Sequence, residues 1–375
     1  MRKFNELNPS QRILLGPGPS CVHSRVYKAL ATPIIGHLDP EFLTMMDEIQ
    51  DLLRFVFQTK NRFTIAVSGT GSAGMEAALV NVIEPGDTVI VGVNGVFGNR
   101  MCDIVTRCGG KLIQINERWG NKIEIQRIAD ALKQAGGKTK AVALVHAETS
   151  TGVLQPLTEV GAICQQYGAL LIVDTVTSLG GVPVKVDDWK IDVCYSGTQK
   201  CLSCPPGLAP LTFSENALRV VNNRKTKVQS WYLDITMIAD YWAEGKRAYH
   251  HTAPISMNYA LREALRLVQE EGLEARFERH KRNSLELIQG LPHLDLVPFI
   301  EEPFRLPTLN SIKTPPNLEE AKIRRILLLD YNIEIGGGLG ELAGKIWRIG
   351  LMGESSTKAN VVYLLAALEE ILKNG

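Results

Sequence analysis

Lys200 and Asp174 are the residues whose types and placement promise chemistry. Lys200 follows a short apolar run in Tyr195-Ser196-Gly197-Thr198-Gln199-Lys200, and Asp174 closes another such run twenty-six positions earlier. A lysine amine can hold an aldehyde as a Schiff base, and a carboxylate can keep a pyridine nitrogen protonated. The pair therefore suits pyridoxal phosphate, whose ring is an electron sink for carbanions. Either residue alone would say less. A lysine after a strand is commonly a solvated charge, and an aspartate there is often a turn or N-cap residue.

A second candidate is Gly69-Thr70-Gly71-Ser72-Ala73-Gly74, which follows an apolar run and opens a helical pattern. It matches G-x-G-x-x-G in letters and context, so a nicotinamide dehydrogenase is a rival reading. The same geometry holds any phosphate, because free N–H groups at a helix N-terminus face the anion. A dinucleotide site wants an acid about 20 positions on, at the end of the second strand. Here that strand ends in Val91-Gly92-Val93-Asn94-Gly95, and Asp87 lies before it. Thr70 and Ser72 instead add hydroxyls suited to a single phosphate. A tight turn whose glycines serve packing alone is a third reading.

The elements that must position these residues read as α/β. From residue 61 to about 207, β-branched runs alternate with helical patterns, the signature of βαβ units and a mostly parallel sheet. Strands are expected at 63–67, 88–93, 111–115, 141–146, 169–174 and 192–196, with helices between them at 73–82, 125–135 and 157–167. Long amphipathic helices follow at 258–271 and 273–291. Residues 294–372 read as a smaller domain, with a helix at 317–330, a glycine-rich turn over 336–340 that serves either positive backbone angles or a backbone facing the active site, a strand at 345–349 and a helix at 357–373. The expected organisation is an N-terminal arm over 1–20, a large cofactor-binding domain over 21–280 and a small C-terminal α+β domain over 281–375.

Composition narrows the class. The chain has 375 residues, 45% of them hydrophobic and 22% charged, and its formal charge is +1 without a basic block. This is a globular chain with no footprint for nucleic acid. Its apolar runs are far shorter than the ~20 residues of a membrane helix. The N-terminal residues show neither a signal nor a transit pattern, so a cytoplasmic enzyme is expected. Seven scattered cysteines do not form a disulfide framework, and Cys201 and Cys204 read as packing residues beside Lys200, since no second ligand pair follows. No metal site is expected. Adjacent His250 and His251 would point apart on a strand.

With Lys200, Asp174 and the glycine loop in this order, the chain resembles the class V aminotransferases of the aspartate-aminotransferase fold, closest to the alanine–glyoxylate and serine–pyruvate enzymes. The likeness runs from Leu14-Leu15-Gly16-Pro17-Gly18-Pro19 through Val67-Ser68-Gly69-Thr70-Gly71, His146-Ala147-Glu148-Thr149-Ser150-Thr151-Gly152, Val173-Asp174 and Ser196-Gly197-Thr198-Gln199-Lys200 to Trp347-Arg348-Ile349-Gly350. It implies a mostly parallel seven-stranded sheet, Lys200 as Schiff-base lysine and Asp174 as partner of the pyridine nitrogen. It further implies that Thr70, Gly71, Ser72 and Gln199 hold the phosphate, Thr149 lies near the ring and the substrate, and Val176 packs on one ring face. Arg348 would grip the substrate carboxylate, which suits its planar fork. Outside the motif, an arginine there would read as half of a surface ion pair. Tyr249 and Thr252 would reach the phosphate of a neighbouring subunit, which implies a homodimer. Where animal members stack a tryptophan on the ring, this chain has Phe97. His37 is either a substrate contact or an ordinary loop histidine.

The implied reaction is ping-pong transamination between L-alanine or L-serine and a 2-oxo acid, glyoxylate or pyruvate. Cysteine desulfurase, which needs a mobile cysteine, is a weaker reading because no cysteine follows Cys204. A dehydrogenase is weaker still, for want of the ribose carboxylate.

Overall fold

The computed structural model describes residues 3–243, 247–316 and 318–374. Its central sheet has seven strands in the spatial order Phe63–Ser68, Leu208–Phe213, Val193–Tyr195, Leu170–Asp174, Thr139–Val145, Thr88–Val93 and Lys111–Asn116. Leu208–Phe213 runs antiparallel to both neighbours, and every other ladder is parallel. The inner strands are buried nearly without a break, as their unbroken apolar runs require when both faces of a sheet are covered. The edge strand Lys111–Asn116 carries the polar residues Lys111, Gln114 and Asn116.

Six of these strands lie within two residues of where the pattern places them. The seventh is carried by an apolar run containing Pro210, which argues against a central strand. Pro210 is tolerated because it contributes its carbonyl, which accepts from Ser196 N at 2.8 Å. Ser68, Asp174 and Tyr195 all end parallel strands at the same sheet edge, and Lys200 follows one of them. This carboxyl edge is where open α/β sheets bind ligands.

A second sheet, antiparallel throughout, orders Val297–Pro298, Leu309–Lys313, Ile346–Gly350 and Gly336–Gly337. Its core includes Leu15, Leu291, Ile312, Trp347 and Leu364, apart from the larger core that spans Val26 to Leu273. Ile13–Leu14 pairs with Ile333–Glu334, which ties the N-terminal segment to this unit. The helix expected over 317–330 is Glu320–Asp330, and Asn317 lies outside the described residues.

The glycine-rich turn needs correction. Gly336 and Gly337 form a strand against Arg348 and Trp347, and within 336–340 only Gly340 has a positive φ. Close approach explains the run better: a Cβ on Gly336 would lie 2.5 Å from Pro17 Cδ.

Helices Ile255–Glu271 and Leu273–Gly290 meet at Gly272 and lead from the first core to the second. Arg276, buried at the start of the second helix, locks this junction onto the loop after Lys200. It donates to Gly180 O at 2.9 Å, to Cys201 O at 2.6 Å and to the Glu271 carboxylate at 2.5 Å. Replacing it by Met strands two buried carbonyls, while Glu271 keeps its bonds to Arg279. Arg276→Met should therefore cost about 2–5 kcal/mol, read as a lower urea midpoint with an unchanged slope.

Candidate active site

A cavity of about 190 Å³ opens at the carboxyl edge of the large sheet. Thr70, Gly71, Ser72, Phe97, Asp174, Val176, Gln199 and Lys200 line it. Eight of the residues proposed from sequence are thus gathered by the fold.

Local geometry suits the Thr70-Gly71-Ser72 segment to an anion. The helix Gly71–Val80 starts here, and the Thr70 side chain makes no capping bond, so the Gly71 and Ser72 N–H groups have no partner among the described residues, while Ala73 N donates to Thr70 O at 2.8 Å. Gly69 takes φ +149°, a region costly for other residues, to turn the strand into the helix. Gly74 has a packing role: its Cβ would meet Ala209 Cβ at 3.0 Å. Gln199 Oε1 is buried and has no hydrogen-bond partner.

Asp174 Oδ1 accepts from Val176 N at 2.8 Å and Oδ2 from the Tyr195 hydroxyl at 2.9 Å. Burial nevertheless pushes its carboxyl up to about 7, against these two bonds. The Lys200 amine donates to Pro17 O. Burial, reinforced by the nearby Arg348 charge, brings this amine down to about 8, so a neutral fraction exists near physiological pH.

Arg348 lies on the Ile346–Gly350 strand and is buried, not in a surface ion pair. Its Nε donates to Gly337 O at 2.7 Å and its Nη1 to Thr149 O at 3.0 Å. The backbone of the glycine segment therefore faces this site and orients the guanidinium, whose pKa burial lowers to about 10. Thr149 is buried, with its hydroxyl bonded to that of Thr177. Neither Thr149 nor Arg348 is among the residues that line the cavity, but Arg348 is near enough to Lys200 for its charge to act on the amine.

Tyr249 and Thr252 are not among the residues that line the cavity. Their hydroxyls are 3.5 Å apart on an irregular segment, and Tyr249 is 60% exposed. The His37 ring packs on Tyr249 with centroids 5.2 Å apart. The expectation that His250 and His251 point apart on a strand is wrong. The segment is not a strand, and the two rings share a hydrogen bond between Nδ1 atoms at 2.7 Å. His251 Nε2 is bonded to Ser68 Oγ at 2.7 Å, and the His250 ring stacks on Trp231.

Four neighbours of the site escaped the sequence reading. Tyr195 sits in the lysine motif, but its bond to Asp174 depends on the parallel register that sets the two residues side by side. Glu148 is fully buried and accepts from Phe97 N at 3.2 Å, while Ser150 Oγ accepts from Val96 N at 3.0 Å. Together they cap the helix Val96–Arg107 and so fix the Phe97 ring. Arg100 also lines the cavity. Its spacing of three from Phe97 on a helix was the available signal.

This sheet, with a buried lysine and a buried aspartate at its carboxyl edge and an anion cradle beside them, defines a pyridoxal-phosphate enzyme of the aspartate-aminotransferase fold. The chain belongs to the class V aminotransferases: the family profile Aminotransferase class-V matches residues 23–343. It is 41% identical to the (S)-ureidoglycine–glyoxylate transaminase of Bacillus subtilis (strain 168), over 98% of this chain and 92% of that one. It is 42% identical to the alanine–glyoxylate aminotransferase of Rattus norvegicus, over 98% and 89% of the two chains. The solved alanine–glyoxylate aminotransferase of a Nostoc species superposes with a TM-score of 0.97 at 49% identity, covering 99% and 98%. Pyridoxal phosphate is the family's cofactor. The residues present fit it, for the uncapped helix start offers N–H donors to a phosphate near a buried carboxyl and a lysine of lowered pKa.

The Asp174 shift has a measurable consequence in the protein stripped of cofactor. Its folded pKa of about 7 stands above the ordinary 3.8. Below the lower value both states hold the proton. As pH rises between the two values the unfolded state ionises first, so stability is lost until the penalty is complete above about 7. Cofactor-free Asp174→Asn should therefore melt above the cofactor-free parent at pH 8, with the gap closing toward pH 4.

Proposed function

We propose that this enzyme transfers the amino group of a small amino acid, L-alanine or L-serine, to glyoxylate, and that it works as a cytoplasmic homodimer. The observation that carries the reading is the buried Arg348 guanidinium beside Lys200. Two of its nitrogens are held by backbone carbonyls, and Nη2 has no bond to another described residue. That arrangement suits the carboxylate shared by every amino and oxo acid in such a reaction. The activities named for the Bacillus, rat and Nostoc relatives support glyoxylate as acceptor.

Each residue has a task that follows from its surroundings. Pyridoxal phosphate, when bound, supplies a protonated ring that stabilises negative charge at the substrate α-carbon. Thr70, Gly71, Ser72 and Gln199 hold the phosphate, Phe97 and Val176 flank the ring, and Asp174 pairs with the ring nitrogen. An opposite charge there favours the ionised carboxylate, reversing the effect of burial. Lys200 anchors the cofactor and, once free, carries the proton from the substrate α-carbon on Nζ. A general base works best with a pKa near the operating pH, which burial provides. Arg348 fixes the carboxylate and thereby the α-carbon within reach of that amine, and Thr149 holds Arg348 through its carbonyl. Tyr249 and Thr252 complete the phosphate site of a second subunit. Their position outside their own subunit's cavity and the exposure of Tyr249, Trp231 and Tyr232 support that reading.

The test is an absorbance spectrum of the holoenzyme before and after L-alanine, then after glyoxylate. A cofactor band that shifts with alanine and returns with glyoxylate is expected, with ping-pong steady-state kinetics. L-Serine and (S)-ureidoglycine, the donor named for the Bacillus relative, are run in parallel. A spectrum that no amino acid shifts would refute transamination, and a normal band in Lys200→Ala would refute the role of that lysine. Arg348→Lys should raise KM for both the amino acid and the oxo acid by roughly tenfold or more, because an ammonium cannot reproduce the two-pronged contact.

A further inference from the structure

We propose that Arg100 is a cofactor-binding residue that neutralises the phosphate of pyridoxal phosphate. The proposal rests on the reading of Thr70 to Ser72 as the phosphate cradle. Arg100 lines the same cavity, and its Nη1 donates to Ser72 Oγ at 3.2 Å. Its guanidinium lies 4.9 Å from the centre of the Phe97 ring. It makes no ion pair with a carboxylate among the described residues.

Charge makes the case. A phosphate monoester carries close to two negative charges at neutral pH. The donors assigned to it, backbone N–H groups and the side chains of Thr70, Ser72 and Gln199, are all neutral. Among the residues lining the cavity the only cations are Lys200 and Arg100. Lys200 is committed to the cofactor aldehyde at the other end of the ring, which leaves Arg100 as the standing positive charge on the cradle side. Charge-assisted bonds to phosphate are the strong ones, and a guanidinium suits the oxygens' geometry.

The position is also built rather than adventitious. The first turn of the helix Val96–Arg107 is held by Glu148 and Ser150. Phe97 and Arg100, three apart, share one helix face. The contact that fixes the ring-stacking residue thus fixes the arginine as well.

The experiment titrates cofactor-free full-length protein with pyridoxal phosphate and, separately, with pyridoxal, which lacks the phosphate. The parent, Arg100→Gln and Arg100→Lys are compared by the absorbance of the bound cofactor, and urea midpoints confirm that each variant folds. Arg100→Gln should bind pyridoxal phosphate roughly tenfold more weakly or worse and bind pyridoxal as the parent does. Arg100→Lys should recover part of the loss, and the gap should narrow as salt is raised, because the guanidinium is exposed. Equal affinity of parent and Arg100→Gln for pyridoxal phosphate would overturn the assignment. So would an equal loss for both ligands, which would mean that Arg100 acts only by packing on Phe97. A parent that does not prefer pyridoxal phosphate over pyridoxal would instead remove the phosphate-cradle reading itself.

Discussion

The site is organised by the burial of two opposite charges that do not pair with each other. Lys200 donates to a backbone carbonyl of the N-terminal segment, and Asp174 accepts from a backbone amide and a tyrosine. Removing ionisable groups from water without a counter-ion is costly, and their titrations shift toward neutrality in response. That shift is what the proposed chemistry uses. The lysine becomes a base that is partly free near neutral pH, and the aspartate becomes a carboxyl whose charge depends on a positive partner. A surface lysine and aspartate of the same spacing would do neither.

Holding such a pair in place calls for a rigid surround, and the two cores supply it from different sides. The large sheet delivers Asp174 and Tyr195 on neighbouring parallel strands, so that the register itself makes their hydrogen bond. The small sheet delivers Arg348, and the N-terminal segment, which pairs with that unit, delivers Pro17. Arg276 ties the loop after Lys200 to the helix that leads from one core to the other. Lys200 is therefore steadied by elements distant in sequence.

The helix Val96–Arg107 shows how a buried acid outside the reaction can shape it. Glu148 has no counter-ion in contact among the described residues and spends its lone pairs on the Phe97 amide at the start of that helix and on the amide and hydroxyl of Ser150. Burial raises its pKa, and these donors oppose the rise. The result is a fixed ring at Phe97 and a fixed cation one turn later.

What the sequence by itself determined was local. Alternating β-branched and helical runs gave the α/β order, because their periods are set by backbone geometry. Lys200 and Asp174 were legible because lysine and aspartate at strand ends are informative as a pair. The glycine loop was legible because its backbone needs are local as well. What only the tertiary structure decided was non-local. Pro210 hid a central strand that is tolerated only because a neighbour uses its carbonyl. Gly336 is required by Pro17, more than 300 positions away in the chain. His250 and His251 face each other because their segment is no strand. The partners of Asp174, Arg348 and Phe97 come from pairing and packing between distant segments, and no spacing within one segment encodes such contacts.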